Sequence, residues 1–274
     1  MNNSKTKLPI GILDSGIGGI SVLAEIIKML PHNEFVYFSD TLNFPYGTKP
    51  EDTVRSLSLK ATEFLASIGI KSLVVACNTA TSAAINEIRT LFDFPVIGME
   101  PAIKLAVECN GKGKILVMAT PLTLNSKNFI RLTSRYTQKT EVVSLPCIGL
   151  AEFIERQNRY NYGNQVNEYL IHLFSSIPIK DISTIVLGCT HFVLIKKEIR
   201  KIVGDDVVFI DGNYGTARQL KTVLQEKQLL YEINTSPASK KPLKAKITFC
   251  VSGNEKEVIK NYKYVLENEG ITCE

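Results

Sequence analysis

At 274 residues the chain is nearly twice the length of an ordinary domain, which predicts one large α/β domain or two smaller ones. Hydrophobic residues make up 45% and charged residues 22%, a balance that supports a packed core and excludes a disordered or collagen-like chain. The net charge of +5 comes mostly from scattered lysines, densest at Lys240, Lys241, Lys244 and Lys246; this run lacks interleaved aromatics, reads as a solvated loop, and gives no reason to expect a nucleic-acid partner.

The polar lead before PIGILD (9–14) is followed by too short an apolar run for a signal peptide. Nothing in the chain approaches the ~18 apolar residues of a membrane span, so the expectation is a cytoplasmic protein with no membrane partner. In that reducing compartment the six widely spaced cysteines, 77, 109, 147, 189, 250 and 273, read as free thiols, and the lack of any CxxC argues against a zinc site.

Short β-branched runs then recur along the chain: 9–14, 34–40, 72–77, 94–98, 114–119, 141–146, 183–189, 206–211 and 246–252. Between them lie stretches with apolar faces at helical spacing, such as Val22, Leu23, Ile26, Ile27 and Leu30, or Leu57, Ala61, Phe64, Leu65 and Ile68. The alternation predicts βαβ units, hence mainly parallel sheets covered by helices on both faces, and an α/β fold. Where strands hand over to helices the side chains are small, polar or nucleophilic: Asp14-Ser15-Gly16, Cys77-Asn78-Thr79, Thr120, Cys147, Cys189-Thr190-His191. Ligands of open parallel sheets bind there, beside helix N-termini that attract anions, so a small anionic ligand is expected.

LVVACNT (73–79) and IVLGCTH (185–191) echo one another, which suggests two related lobes each offering a cysteine. DSGIGG (14–19) invites a dinucleotide fingerprint, but Ser21 stands where its third glycine belongs and Asp14 would face the pyrophosphate; a close backbone approach to a smaller ligand at Gly16, Gly18 and Gly19 is the better reading. No P-loop is present. Cys109, Cys147, Cys250 and Cys273 read as small hydrophobes. Cys77 and Cys189 differ, because a helix N-terminus beside each sulfur is expected to lower its pKa toward neutrality and make both more reactive than the other four. Two thiols facing each other across a cleft can take a proton from one face of a carbon and deliver one to the other, which inverts a stereocentre without a cofactor. The Asn and Thr side chains and helix N–H groups suit a carboxylate, and Asp14 suits an ammonium.

In this constellation the chain resembles the cofactor-independent glutamate racemases of the aspartate/glutamate racemase superfamily. The segments that carry the likeness are GILDSGIGG (11–19), FSDTLNFPYG (38–47), VVACNTAT (74–81), ATPLT (119–123), LAEFIE (150–155) and VLGCTHF (186–192), in family order, with continuation through DGNYGTARQL (211–220). The resemblance implies two similar α/β lobes, residues 1–97 plus 213–274 and residues 98–212, with the active site between them. It implies that Cys77 acts on the D enantiomer and Cys189 on the L, assisted by Asp14 and His191, with Glu155 contributing on the second side. Implied substrate contacts are Asp14, Ser15, Tyr46, Gly47, Asn78, Thr79, Thr190 and His191, with Thr120 and Thr123 matched less fully because Ala119 replaces a family glycine. Asp40 matches a family acid near the site, in a catalytic or a structural role. His191 after the second Cys-Thr favours glutamate over aspartate. The further implications are a homodimer, no cofactor or metal, and a supply of D-glutamate for bacterial peptidoglycan. The last ~55 residues resemble the family least.

Overall fold

The computed structural model describes residues 3–109, 113–136, 139–156, 163–231, 243–253 and 255–274. Its strands are β1 (Ile10–Asp14), β2 (Glu34–Ser39), β3 (Ser72–Val75), β4 (Val96–Gly98), β5 (Lys114–Ala119), β6 (Val142–Pro146), β7 (Ile182–Leu187), β8 (Val208–Ile210), β9 (Leu243–Val251) and β10 (Ile271–Cys273). They form a six-stranded sheet in the order β10-β9-β2-β1-β3-β4 and a four-stranded sheet in the order β6-β5-β7-β8, and every described pairing is parallel. The α/β expectation holds, and each of the nine predicted runs overlaps a strand, although β7 starts one residue and β9 three residues before the run that predicts it. β10 was not expected: it is three residues long and follows a turn at Gly270, whose φ of +76° suits glycine. β4 runs to Gly98, one residue past the expected end of the first lobe segment.

Parallel strands linked by helices must bury both faces, and the alternation of side chains sorts the core accordingly. Ile10 and Ile12 of β1 pack with helices Gly19–Met29, Asn213–Glu226 and Glu255–Asn268 on one face of the larger sheet. Leu13, Leu73 and Val75 pack with helices Glu51–Ile68 and Asn78–Leu91 on the other. In the smaller sheet Leu116 and Met118 face helices Leu150–Glu155, Gly163–Phe174 and Lys196–Val203, while Ile115 and Val117 face Ile103–Cys109, Pro121–Asn125 and Lys127–Ser134.

One expected face and one expected loop come out differently. In helix Glu51–Ile68 the buried stripe is Val54, Ser58, Ala61, Thr62 and Leu65, while Phe64 and Ile68 are 43% and 42% exposed; Phe64 lies over the Phe38 ring instead. The lysine-rich run is not all loop. Lys240 and Lys241 fall outside the described residues, but Lys244 and Lys246 sit on β9 and pair with Glu274 and Glu34. None of the six cysteines, all of which are among the described residues, is in a disulfide. Among the described residues no helix is long and apolar enough to cross a membrane, and no cluster of three or more His, Cys, Asp or Glu could hold a metal ion.

Candidate active site

Because all strands of a parallel sheet point the same way, their carboxyl ends gather the loops that follow them. β1 delivers Asp14 and Ser15, β3 delivers Cys77 to Thr79, β5 delivers Thr120, and β7 delivers Cys189 to His191. Cys77 is the N-cap of helix Asn78–Leu91 and its sulfur accepts the Ala80 N–H at 3.5 Å; Cys189 is the N-cap of helix Thr190–Leu194. Both thiols, one from each sheet, open on one cavity. Its walls include Ser15, Tyr46, Gly47, Asn78, Thr79, Thr120, Thr190 and His191. The enclosed space is only about 20 Å³, room for about one water.

Asp14 and Glu155 do not line that cavity; they stand behind it and tie the two sheets together. Asp14 is fully buried, takes the Gly16 N–H at 3.0 Å on one oxygen and the Thr190 hydroxyl of the other sheet at 3.2 Å on the second. Glu155 reciprocates: one carboxylate oxygen accepts the Ile17 N–H at 2.9 Å and lies 2.7 Å from His191 Nε2. His191 Nδ1 in turn stands 3.9 Å from Cys189 Sγ, and Ser15 Oγ stands 3.8 Å from Cys77 Sγ.

The glycines of DSGIGG are needed for this joint rather than for a nucleotide. A Cβ at Gly16 would strike the Glu155 carboxylate, and one at Gly18 would strike the Thr190 hydroxyl and lie 2.6 Å from the His191 backbone nitrogen. The close approach predicted at Gly16 and Gly18 is therefore filled by residues of the smaller sheet's half, while a Cβ at Gly19 would meet Asp14 and the Tyr37 hydroxyl of its own sheet.

Burial sets the titration behaviour. It pushes the Asp14 carboxyl up to about 6, against the pull of His191 and the Gly16 N–H. For His191 burial favours the neutral ring, but the bonds to Cys189 and Glu155 outweigh it and hold the imidazole well above its ordinary range. The expected lowering at Cys77 is overturned: burial and the negative charge of Asp14 push its thiol up to about 12, and the helix N–H at Ala80 is too weak a counterweight.

Thr123 does not reach the cavity. It is fully buried and bonds to Thr120 at 3.0 Å and Thr79 at 3.5 Å, so it orients the threonines that do line the wall. Asp40 is likewise bonded away from the cavity, to Tyr46, Asn43 and Ser252. Several wall residues lie outside the predicted set, among them Phe44, Thr48, Cys147 and Glu152. Cys147 is buried, with its S–H on the Leu145 carbonyl at 3.4 Å, and its place at the end of β6 was the available signal. Phe44 lies in the loop before PYG, its ring 5.3 Å from that of His191.

The profile of the Asp/Glu/Hydantoin racemase family matches residues 10–220. A glutamate racemase of Clostridium novyi (strain NT) is 53% identical over 226 residues, which are 82% of this chain and 86% of that protein. Among solved structures, glutamate racemase isoform RacE1 from Bacillus anthracis matches with a TM-score of 0.80 at 30% identity, covering 98% of this chain and 97% of that one. Glutamate racemase from Francisella tularensis subsp. tularensis SCHU S4, solved in complex with D-glutamate, matches with a TM-score of 0.79 at 28% identity over 98% of this chain and 97% of its own. A profile that runs from β1 past β8, with a relative more than half identical across most of the chain, places the chain in the Asp/Glu/hydantoin racemase family.

Proposed function

We propose that the chain interconverts L- and D-glutamate by two-thiol proton transfer, without a cofactor. The observation that carries this reading is the pair of cysteines at helix N-cap positions, one from each sheet, opening on one cavity. One sulfur, as thiolate, takes the α-proton, the electron pair of the broken C–H bond moves toward the α-carboxylate, and the opposite thiol delivers its proton to the other face. One proton is taken and one given, so the two sulfurs exchange states. Cys77 serves the D enantiomer and Cys189 the L.

Each thiol has its own proton partner within the buried joint. His191 is placed to exchange a proton with Cys189 and is held by Glu155. Asp14, ionised above about pH 6, is the base nearest in kind on the Cys77 side and the counter-charge for an ammonium. Ser15, Asn78 and Thr79, with the two helix N-termini, supply donors for the carboxylates, and Thr120 and Thr190, whose hydroxyls donate to Thr123 and Asp14, shape the wall beside them. The buried Asn78 Oδ1 has no hydrogen-bond partner among the described residues and can accept from a bound ammonium. Tyr46 and Gly47 complete the wall. Glutamate is larger than one water, so the walls part for entry and close over the ligand. The lobes that move are residues 1–97 plus 213–274 and residues 98–212, a division supported by which strands share a sheet. The chain would work as a cytoplasmic homodimer that supplies D-glutamate for peptidoglycan; sedimentation of the purified protein checks the dimer.

Circular dichroism of the purified protein with L-glutamate in reducing buffer, no cofactor added and L-aspartate in parallel, tests the reading. The glutamate signal should decay to zero. Decay of aspartate alone would remove the substrate assignment, and decay of neither would remove the activity.

A further inference from the structure

The cavity is roofed on one side by the loop 41–47, which leaves β2, crosses from the larger sheet and ends on residues of the smaller one. Phe44 lies against the His191 ring, and Gly47 packs so closely on Thr120 that an added Cβ would sit 2.6 Å from its Cγ2. A strap that crosses a cleft needs an anchor at its root, and here the anchor is the Asp40 carboxylate. Asp40 is 4% exposed, and four hydrogen bonds converge on its two oxygens: Tyr46 OH at 2.7 Å, Asn43 Nδ2 at 3.0 and 3.1 Å, and Ser252 Oγ at 2.8 Å.

Tyr46 and Asn43 belong to the strap itself, so their bonds only fold it on its own root. Ser252 is the one of these partners that ties the root to another part of the molecule, the exit of β9. Its hydroxyl is used twice, donating to Asp40 and accepting the Leu42 N–H at 3.0 Å, while its own N–H bonds the Ser39 carbonyl at 3.1 Å. Gly253 lets this exit lie against Thr41, where a Cβ would come within 2.8 Å of the hydroxyl. The helix after β9 reinforces the same place through Tyr262 OH, which bonds Ser39 Oγ at 2.6 Å. All of these C-terminal residues lie beyond the matched family segment of residues 10–220.

We propose that Ser252 is a positioning residue for the strap 41–47, acting through Asp40 to hold Tyr46, Gly47 and Phe44 over the bound substrate. The inference rests on the reading of this cavity as the glutamate site. A charge-assisted bond buried at the root of a loop is worth enough to change loop opening about tenfold. Loosening the strap weakens ground state and transition state alike, which appears in KM and not in kcat.

The test compares Ser252→Ala, Ser252→Cys and Ser252→Thr with Lys246→Ala, an exposed position on β9, the strand that leads to Ser252, as control. Two readouts are taken: racemisation kinetics with glutamate, and backbone amide hydrogen exchange of residues 41–48. Ser252→Ala and Ser252→Cys should raise KM about tenfold with kcat within about twofold, and should speed exchange in 41–48 about tenfold. Ser252→Thr, which keeps the hydroxyl, should restore both, and Lys246→Ala should change neither. Unchanged exchange and unchanged KM in the folded Ala or Cys variant would overturn the proposal, as would faster exchange throughout the larger sheet, which marks a merely structural role. If the unmodified chain fails to racemise glutamate, the reading of the cavity falls, and the exchange measurement still decides the strap.

Discussion

Two sulfurs with the same local sequence logic sit in different electrostatic surroundings. Cys77 shares its buried corner with Asp14, whose charge opposes a thiolate, whereas Cys189 has the imidazole of His191 3.9 Å away. In the free protein Cys77 therefore holds its proton at neutral pH. Iodoacetamide at pH 7.5 should label exposed Cys109 first and leave Cys77 among the slowest, as mass spectrometry of tryptic peptides would show. Asp14 gives a pH signature. Its folded pKa of about 6 lies above the ordinary 3.8, so the native state holds a proton that the unfolded chain has lost, and stability falls as pH rises through that window. At neutral pH the buried charge costs on the order of 3 kcal/mol. Asp14→Asn should thus raise Tm at pH 7.5, lose that advantage at pH 4, and abolish the acid limb near pH 6 expected in kcat/KM. The motifs made Cys77, Cys189, Asp14 and His191 legible in the sequence. The sign of the Cys77 shift was not, because a helix N-terminus can be read from CNTA while the depth at which the sulfur is buried cannot.

At the level of elements, the turn between β1 and helix Gly19–Met29 is a bearing on which the smaller sheet rests. Gly18 makes it possible: its neighbour across the joint is backbone, the His191 nitrogen, which cannot swing aside as a flexible side chain would. Gly18→Ala should lower kcat/KM at least about a hundredfold with Tm changed by only a few degrees, since displacing catalytic groups by a fraction of an ångström is costly while the core is untouched. Equal activity in Gly18→Ala and the parent would show that the joint is not used in turnover. The succession of strands along the chain, their parallel direction and the helices on both faces were legible because β-branched runs alternate with helical faces, whereas the order of strands within each sheet was not. The exact faces were legible in part: Phe64 and Ile68 fit the helical period but lie one step round from the stripe that Val54, Ala61 and Leu65 bury. β10 was invisible because a three-residue strand at a sheet edge has too little pattern to stand out. The Glu155 bond to Ile17 spans 138 residues and exists only once the two sheets meet, whereas its bond to His191 joins two helices packed on the smaller sheet.

For the molecule as a whole, the two-lobe reading makes each thiol the property of a different half. Cys77→Ser and Cys189→Ser should each fold normally, since a hydroxyl is nearly isosteric with a thiol, yet each should lose racemisation by several orders of magnitude because an alcohol is too weak an acid. Polarimetry and thermal melts on the two variants check this pair of outcomes, and normal turnover in either would end the two-thiol mechanism. The internal echo of 73–79 and 185–191 was the sequence trace of this arrangement, since both segments end β3 and β7 on a cysteine at a helix N-cap position.

The uniform strand direction has a consequence for anyone who wishes to modify the protein. Every loop of the cavity leaves the carboxyl end of a strand, so the opposite rim, where strands begin, contributes none of its walls. The exposed turn at residues 204–206, which enters β8, lies on that rim and is closed by Gly204 and the Arg200 side chain on the Asp205 carbonyl. A short flexible peptide or a fluorescent reporter inserted between Asp205 and Asp206 should be carried with the turnover of the parent protein, because exposed turns absorb added chain without disturbing the packed elements they join. That rim is accordingly where surface tethers, affinity handles and distance probes belong.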